Sequence, residues 1–285
     1  MKVERPIFVV GTGRSGSTMF HDIITYHENV AWFSVLLSKF PKKIKLNRFY
    51  LQCLDIPLLG SLFRKKLIPS ETYTFWETHV RGFSRPFRDL RADDVSIKTK
   101  RNLPELFSKT LTKKRNRLLI KITGWSRIGF INEIFPDALF IHITRDPRPT
   151  VNSFLNVDFW KGWEGPQKWR FGELNDAEKM LWNKYDQSFA ALASIGWIKM
   201  IQSVNEARKH IPDNRFLEIQ YVDLCENPHD TFKKIYEFAG LKESRKIKRV
   251  LKTKKIISKD QSWVRDLNET QKKAINDILA PYVNE

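Results

Sequence analysis

The sequence has few cysteines and no long apolar segment. Its 285 residues include only Cys53 and Cys225, which lie far apart without metal-site spacing, so neither a disulfide framework nor a metal site is expected. No run approaches the ~18 apolar residues that a membrane span requires. The first residues lead directly into an apolar run, with no pattern of a secretory signal. These absences predict a soluble, cytoplasmic protein without a transmembrane segment.

Acidic residues are also scarce relative to basic ones. There are 32 Asp and Glu against 50 Lys and Arg, a formal net charge of +18. Such an excess predicts an anionic partner: a polyanion, an anionic membrane surface or a highly charged small ligand. The densest basic stretches are 39–48, 113–117 and 242–255, and each can be read simply as a solvated face. No aromatic-interleaved motif accompanies them, so no specific nucleic-acid partner is expected.

Short apolar runs alternate with helical patterns along the chain. The run 7–10 is continuously apolar and closed by a glycine, which is typical of a buried parallel strand. Strands are also predicted at 118–122, 138–143 and 215–219, with a weaker candidate at 95–98. Helices are predicted from Ser17, over 228–239 up to Gly240, and over 269–279. The pattern over 176–210, interrupted near 195–196, predicts either one long helix or two shorter ones.

This alternation predicts an α/β fold of three layers, with helices on both faces of a central, mostly parallel sheet. Residues 31–94 are rich in aromatic and basic side chains but have little clean periodicity. We interpret them as an insertion that shapes a pocket, within a single domain spanning 1–285.

A glycine-rich loop follows the first predicted strand. Gly11 to Thr18 has the spacing of a phosphate-binding P-loop, with Ser17 in the position of the usual lysine. Glycines let backbone N–H groups converge on a phosphate, and the following helix adds its dipole. The absence of that lysine argues against a site for a nucleoside triphosphate with Mg²⁺. Arg14 instead supplies a cation whose guanidinium can bind two oxygens of an anion at once. The alternative is a tight turn with no ligand.

A second candidate anion site follows the strand predicted at 138–143. Arg145 comes at the carboxyl end of that strand, and Ser153 follows about two helical turns later, an arrangement suited to a second phosphate. Alternatively, Arg145 and Asp146 form only a strand-end salt bridge.

Together these residues resemble a known family, the sulfotransferases that use 3′-phosphoadenylyl sulfate (PAPS). The stretch 8–18 resembles the family's 5′-phosphosulfate loop, and 135–148 with Ser153 resembles its 3′-phosphate motif. A third segment, 221–228 with 238–241, is similar to a late family motif. The three matches occur in the family's order, and the resemblance implies a P-loop NTPase-like fold.

The resemblance also implies a donor that carries a sulfuryl group on its 5′-phosphate and a separate 3′-phosphate, and that leaves as adenosine 3′,5′-bisphosphate (PAP). No catalytic metal is implied. Arg145 and Ser153 would bind the 3′-phosphate, and Tyr221 the adenosine. Trp263, beyond the basic 242–255 stretch, is expected to close over the nucleotide. The residues implied for the 5′-phosphosulfate are Gly13, Arg14, Ser15, Gly16, Ser17 and Thr18.

Sulfuryl transfer needs a base for the acceptor's proton and a cation for the departing oxygen. Arg14 and Lys121 are predicted to stabilise that oxygen, although Lys121 could instead be a strand-end lysine reaching water. For the base we favour Glu77 over His79 and Glu71, which lie in one aromatic-rich segment. Each of the three is otherwise an ordinary surface or salt-bridged residue.

The acceptor cannot be read from the sequence: a small molecule, carbohydrate, lipid or peptide tyrosine fits equally. The segment 160–169 contains three tryptophans, which suit either sugar stacking or a loop packed over the sheet edge. Two other function classes stay open. One is a P-loop kinase with a degenerate loop, and the other is a non-enzymatic polyanion-binding protein.

Overall fold

The fold is built on a central five-stranded parallel sheet. The computed structural model describes residues 1–58, 60–85, 87–254 and 256–283. The strand order is β2-β3-β1-β4-β5, and every neighbouring pair is parallel. The predicted α/β class with a central parallel sheet is therefore confirmed. The strands are β1 (Ile7–Val10), β2 (Val30–Trp32), β3 (Arg117–Lys121), β4 (Leu139–Thr144) and β5 (Phe216–Gln220).

Helices flank the sheet and connect its strands. Those up to β4 are α1 (Ser17–Ile24), α2 (Val35–Lys39), α3 (Ile44–Cys53), α4 (Gly60–Lys66), α5 (Tyr73–His79), α6 (Ile97–Ser108) and α7 (Ile128–Ile134). Those after β4 are α8 (Pro147–Phe154), α9 (Asp176–Lys184), α10 (Phe189–Arg208), α11 (Tyr221–Glu226), α12 (Pro228–Ala239), α13 (Arg245–Thr253), α14 (Ser262–Asp266) and α15 (Glu269–Leu279).

The sheet lies in the main hydrophobic core. All four side chains of β1 are buried, as the unbroken apolar run predicts for a central strand. A second cluster forms where α8, α10 and α15 pack together. Because β1 is central and ends at the glycine loop, the core fixes the position of that loop.

Two helix predictions match the structure, and two other predictions are wrong. Helices α12 and α15 have the predicted bounds, and Gly240 ends α12 with φ of 62°. The weak strand at 95–98 is instead the start of α6, because the Ser96 side chain accepts a hydrogen bond from Thr99 N and caps the helix. The predicted interruption at 195–196 lies inside α10.

The break in that helical region occurs at 185–188. Asp186 and Gln187 have φ of 51° and 53°, values that are incompatible with a right-handed α-helix. Ser188 then caps the start of α10. Gly196 is needed for a different reason: a Cβ there would lie 2.9 Å from Cδ2 of Phe171. The glycine therefore marks close packing rather than a helix end.

Strand β2 was not predicted. It has only three residues, too few to show a period, and it begins at the edge of the predicted insertion. The single domain over 1–285 and the insertion at 31–94 stay predictions. No helix in the described part of the chain is both long and apolar enough to cross a membrane.

Candidate functional site

The glycine loop between β1 and α1 is shaped by left-handed backbone conformations. Gly13 and Gly16 have φ of 79° and 87°, and Arg14 between them has φ of 56°. A non-glycine residue pays a strain of roughly 1 kcal/mol or more in that region. The loop leads into the N-terminus of α1, which starts at Ser17, so backbone N–H groups and the positive end of the helix dipole meet there.

One buried hydroxyl in the loop has no partner. Ser15 is 1% exposed, and its Oγ has no hydrogen-bond partner among the described residues. A buried polar atom without a partner costs about 1–3 kcal/mol. Such an atom in a loop of this shape is suited to an anionic ligand.

Gly16 is also in contact with Tyr221 at the start of α11. A Cβ at Gly16 would lie 2.2 Å from Cδ2 of the Tyr221 ring, far inside van der Waals contact. The ring therefore packs directly on the loop. This contact joins the first sequence motif to the third.

We expect Gly16→Ala to weaken PAP binding at least tenfold and to lower the free energy of unfolding by about 1–3 kcal/mol. The alanine would have to adopt a positive φ, and its Cβ would clash with the Tyr221 ring. Gly124→Ala is the matched control: Gly124 has φ of 97°, but its nearest neighbour is Tyr73 OH at 3.6 Å. Denaturant unfolding and calorimetric titration measure the two effects. Equal PAP affinity in Gly16→Ala and the unmodified chain would contradict the importance of this contact.

The two predicted anion sites meet in the structure. Arg14 Nε donates to Ser153 Oγ at 2.8 Å, and Arg145 Nη1 donates to the Arg14 carbonyl at 2.9 Å. Arg14 and Ser153 lie 139 positions apart in sequence, yet they share a hydrogen bond. The loop and the strand-end motif are therefore joined directly by hydrogen bonds.

Arg145 is held from two further sides. Its Nε donates to Asp260 Oδ1 at 2.7 Å, and its guanidinium lies 4.5 Å from the centroid of the Tyr221 ring. Only 8% of the Arg145 side chain is exposed. Asp260 follows the basic segment 242–255, and no sequence pattern indicated it as a partner of Arg145.

Trp263 lies on α14, which packs against α8, the helix that carries Ser153. The Arg148 guanidinium lies 5.0 Å from the Trp263 ring, and Asn152 Nδ2 donates to Asp266 Oδ2 at 3.2 Å. The segment after the basic stretch therefore packs against the helix that carries Ser153. Whether it closes over a nucleotide stays a prediction.

Lys121 ends β3 beside the loop. Its Nζ donates to Thr18 Oγ1 at 2.7 Å and forms an ion pair with Glu71 Oε1 at 2.8 Å. Thr123 Oγ1 donates to the same carboxylate at 2.9 Å. Only 5% of the Lys121 side chain is exposed, so the ammonium is enclosed by the loop rather than reaching water.

A cavity of about 610 Å³ opens next to the loop. Thr12 and Gly13 line it on the loop side, and Lys121, Glu71 and Glu77 also line it. Its aromatic lining residues are Tyr73, Phe87, Trp125, Phe154, Phe159 and Phe171. A space of this size with mixed aromatic and charged walls is typical of a small-molecule site.

Of the three candidate bases, the structure places two on this cavity. Glu77 is exposed on α5, and Glu71 is partly buried beside Lys121. His79 is not among the described residues that line the cavity. Its Nε2 lies 3.0 Å from the Pro41 carbonyl, and its ring packs on Phe75 at 4.6 Å.

Tyr73 is a further titratable group on the cavity that the sequence did not single out. Burial raises the pKa of Tyr73 to about 12, and its hydroxyl donates to the Thr123 carbonyl at 2.5 Å. The phenol therefore stays protonated at neutral pH. It positions the segment after β3 rather than accepting a proton.

The tryptophan-rich segment 160–169 serves mainly as core. Trp160 and Trp169 are 1% and 0% exposed, and neither is among the lining residues of the cavity. Their neighbours Phe159, Lys161 and Lys168 do line it. Trp160 and Trp169 thus hold the segment that forms one wall of the cavity, whereas Trp163 is exposed.

No group of three His, Cys, Asp or Glu side chains within 1–58, 60–85, 87–254 and 256–283 is arranged to hold a metal ion.

Comparison with known proteins identifies one family. Its model, described as the sulfotransferase family, matches residues 6–245. The chain is 21% identical over 264 residues to the omega-hydroxy-beta-dihydromenaquinone-9 sulfotransferase Stf3 of Mycobacterium bovis, and the same holds for Stf3 of Mycobacterium tuberculosis. These matches cover 84% of this chain but only 63% of the length of each relative.

Solved sulfotransferases share the fold. The crystal structure of sulfotransferase STF9 from Mycobacterium avium matches with a TM-score of 0.60 at 19% identity, over 99% of this chain and 76% of that one. The sulfotransferase domain from the curacin biosynthetic pathway matches with a TM-score of 0.52 at 12% identity, over 100% of this chain and 95% of that one.

Proposed function

Because the chain belongs to the sulfotransferase family, we propose that it transfers a sulfuryl group from PAPS to a hydroxyl or amine of an acceptor. The observation that carries the proposal is the hydrogen bond from Arg14 to Ser153, which joins two anion-binding motifs on one side of the sheet. A donor with a 5′-phosphosulfate and a separate 3′-phosphate needs two such sites close together.

The residues present suit this donor. In our proposal the phosphosulfate lies on the loop Gly13–Thr18, where N–H groups and the unpartnered Ser15 hydroxyl are available. The 3′-phosphate lies between Arg145 and Ser153, and Tyr221 supports the adenosine. Arg145 must then share its guanidinium between Asp260 and the phosphate, and the planar fork of an arginine suits that sharing.

Lys121 and Arg14 would stabilise the charge that develops on the departing phosphate oxygen. Lys121 lies within hydrogen-bond distance of Thr18, at the end of the loop that would hold the phosphosulfate. An enclosed ammonium interacts more strongly with an anion than an exposed one, because water screens it less. No metal ion is needed for this role.

Sequence analysis favoured Glu77 as the general base that takes the acceptor's proton. The geometry of the cavity instead favours Glu71. Glu71 contacts Lys121, which in turn contacts the loop, so its carboxylate lies at the side of the cavity nearest the proposed phosphosulfate. Glu77 is exposed on the same cavity. We therefore propose that Glu71 takes the acceptor's proton, while Lys121 turns towards the departing oxygen.

Two single variants separate these assignments. We expect Glu71→Gln to lower kcat by roughly 10²–10⁴-fold, the usual contribution of a general base, while PAP binding is retained. Glu77→Gln, which removes a carboxylate from the same cavity, is the matched control and should lower kcat less than about threefold. If Glu77→Gln abolishes transfer and Glu71→Gln does not, Glu77 is the base.

The acceptor would enter the cavity of about 610 Å³, which fits a small molecule with an apolar portion. We propose a cytoplasmic location, in line with two cysteines that form no disulfide. Transfer of ³⁵S from labelled PAPS into separate panels of alcohols, phenols, saccharides and tyrosine peptides tests the function. Label transfer to at least one class supports it, whereas phosphate transfer from ATP with Mg²⁺ and no sulfuryl transfer would establish the kinase alternative.

A further inference from the structure

The exposed apolar side chains are concentrated in one segment. The described part of the chain has fifteen large hydrophobic residues that are exposed, and six of them fall within residues 40–68. Scattered single residues of this kind are ordinary, but a concentration marks an interaction surface. The six are Phe40 (45% exposed), Phe49 (57%), Ile56 (43%), Leu58 (95%), Leu62 (59%) and Ile68 (58%).

Three of these residues, Ile56, Leu58 and Leu62, form what we call the tip, where α3 gives way to α4. The tip is firmly held. Asp55, just before it, accepts hydrogen bonds at 3.0 and 3.1 Å from Arg115, whose side chain is 2% exposed.

The backbone of the tip is strained. Leu58 has φ of 67°, a conformation unfavourable for leucine, yet its side chain is almost fully exposed. A buried ion pair thus fixes a turn that presents a leucine to solvent.

Basic residues precede and follow the tip in sequence. Residues 39–68 contain eight Lys and Arg but only one acidic residue, Asp55, and its carboxylate is paired with Arg115 and Lys114. Of the eight, Arg64 is used internally, on Asp22 at 3.0 Å. The exposed lysines of the segment are Lys39, Lys42, Lys43, Lys45, Lys65 and Lys66.

The other two basic stretches approach the same surface. Lys114 Nζ lies 3.5 Å from Asp55 Oδ1. Lys254, just after α13, has its Nζ 2.6 Å from Asp22 Oδ2, and the same carboxylate forms an ion pair with Arg64 of α4. Burial and the nearby charges of Arg115 and Lys114 lower the pKa of Lys246 on α13. Residues of the stretches 113–117 and 242–255 therefore lie beside Asp55 and Asp22, which hold the chain just before the tip and α4.

We propose that a surface made of residues 40–58 and 60–68, together with Lys114 and the exposed lysines of α13, docks on an anionic lipid bilayer. The lysines face the lipid phosphates, and the side chains of the tip enter the interface between headgroups and acyl chains. Apolar residues beside cations match the two layers of a membrane surface. A nucleic acid offers no apolar layer, and a second copy of the chain would oppose the same positive charges.

The surface ends next to the cavity. Ile68 is exposed, its carbonyl accepts from Val35 N at 2.9 Å, and Pro69, Ser70 and Glu71 then line the cavity. Docking would therefore bring the cavity close to the membrane. The proposal does not depend on sulfuryl transfer.

Vesicle flotation of the full chain tests the proposal. Binding is expected to vesicles of phosphatidylcholine and phosphatidylglycerol in equal parts, and to weaken at least tenfold on neutral phosphatidylcholine. Leu58→Asn, which also relieves the unfavourable φ, should weaken binding about tenfold, since one large apolar side chain is lost from the interface. Lys65→Gln with Lys66→Gln should weaken it by about fivefold for each charge.

Ile97→Asn is the matched control, because Ile97 is 89% exposed but lies at the start of α6, outside the surface. It should bind vesicles like the unmodified chain. The proposal is overturned if anionic vesicles are not bound, or if Leu58→Asn and Ile97→Asn bind equally. A dimer in solution that Leu58→Asn dissociates, without vesicle binding, would make a second copy the occupant. Tighter binding to RNA than to vesicles would likewise refute a membrane role.

Discussion

Replacing Lys121 with methionine is expected to lower kcat for sulfuryl transfer by about 10²–10³-fold, the usual loss when one donor to a developing oxyanion is removed. Methionine keeps much of the length and apolar volume of the lysine stem, so the β3 end should stay packed. The charge next to Thr18 and Glu71 is lost. Steady-state turnover of labelled PAPS with an accepted acceptor measures this effect.

The affinity for PAP distinguishes a catalytic role of Lys121 from a structural one. If Lys121 acts on the departing oxygen, PAP binding to Lys121→Met should change by less than about tenfold. The variant Glu71→Gln serves as the comparison for PAP affinity, because it removes the ion-pair partner of Lys121 but leaves the lysine's own charge in place. A Lys121→Met enzyme that keeps full turnover, or that loses PAP binding and kcat in equal measure, would contradict the assignment.

Arg145→Ala is expected to weaken PAP binding by about 100-fold, or about 2.7 kcal/mol, because a charge-assisted contact to the 3′-phosphate is lost. Adenosine 5′-phosphosulfate, which lacks the 3′-phosphate, should bind the variant and the unmodified chain with similar affinity. Arg145→Lys should recover part of the loss, since it restores the charge but not the planar fork. Calorimetric titration with both nucleotides measures the difference.

Arg148→Ala is the matched control, because Arg148 lies three positions away and pairs with Asp146 at 2.6 Å rather than reaching the loop. It should weaken PAP binding only a few-fold. Equal losses for PAP and adenosine 5′-phosphosulfate in Arg145→Ala would mean that the arginine supports the loop through its bond to the Arg14 carbonyl. The 3′-phosphate assignment would then be wrong.

The fold was predictable, and the glycine loop and the strand-end motif could be located in the sequence, because their signals are local. An apolar run ending in glycine, followed by an amphipathic helix, determines a strand, a loop and a helix with little help from the rest of the chain. The contact of Arg14 with Ser153 follows from parallel topology, which brings the carboxyl ends of β1 and β4 to the same edge of the sheet.

The parts that were missed depend on contacts between distant segments. Glu71 is 50 residues from Lys121 in sequence, and only tertiary packing brings the two within 2.8 Å. Asp260 lies 115 positions from Arg145, in a stretch whose pattern indicated only solvated charge. Strand β2 was missed because three residues carry no period, and its pairing with β3 is what makes it a strand.

The membrane-facing surface shows the same limit. The sequence revealed three basic stretches but could not show that Lys114 and Lys254 lie beside the segment that carries the apolar tip, because that arrangement depends on Asp55 and Asp22 receiving cations from distant elements. Nor could it show that Leu58 is exposed, since leucine is usually buried.

Calorimetric titration of the full chain with PAP, and separately with ATP and Mg²⁺, distinguishes a sulfuryl-donor site from an ATP site. We expect PAP to bind at least tenfold more tightly than ATP with Mg²⁺, because the loop has Ser17 in place of the usual lysine and because ATP lacks the 3′-phosphate that we propose lies between Arg145 and Ser153. Equal or tighter binding of ATP with Mg²⁺ would rule out the proposed PAPS site.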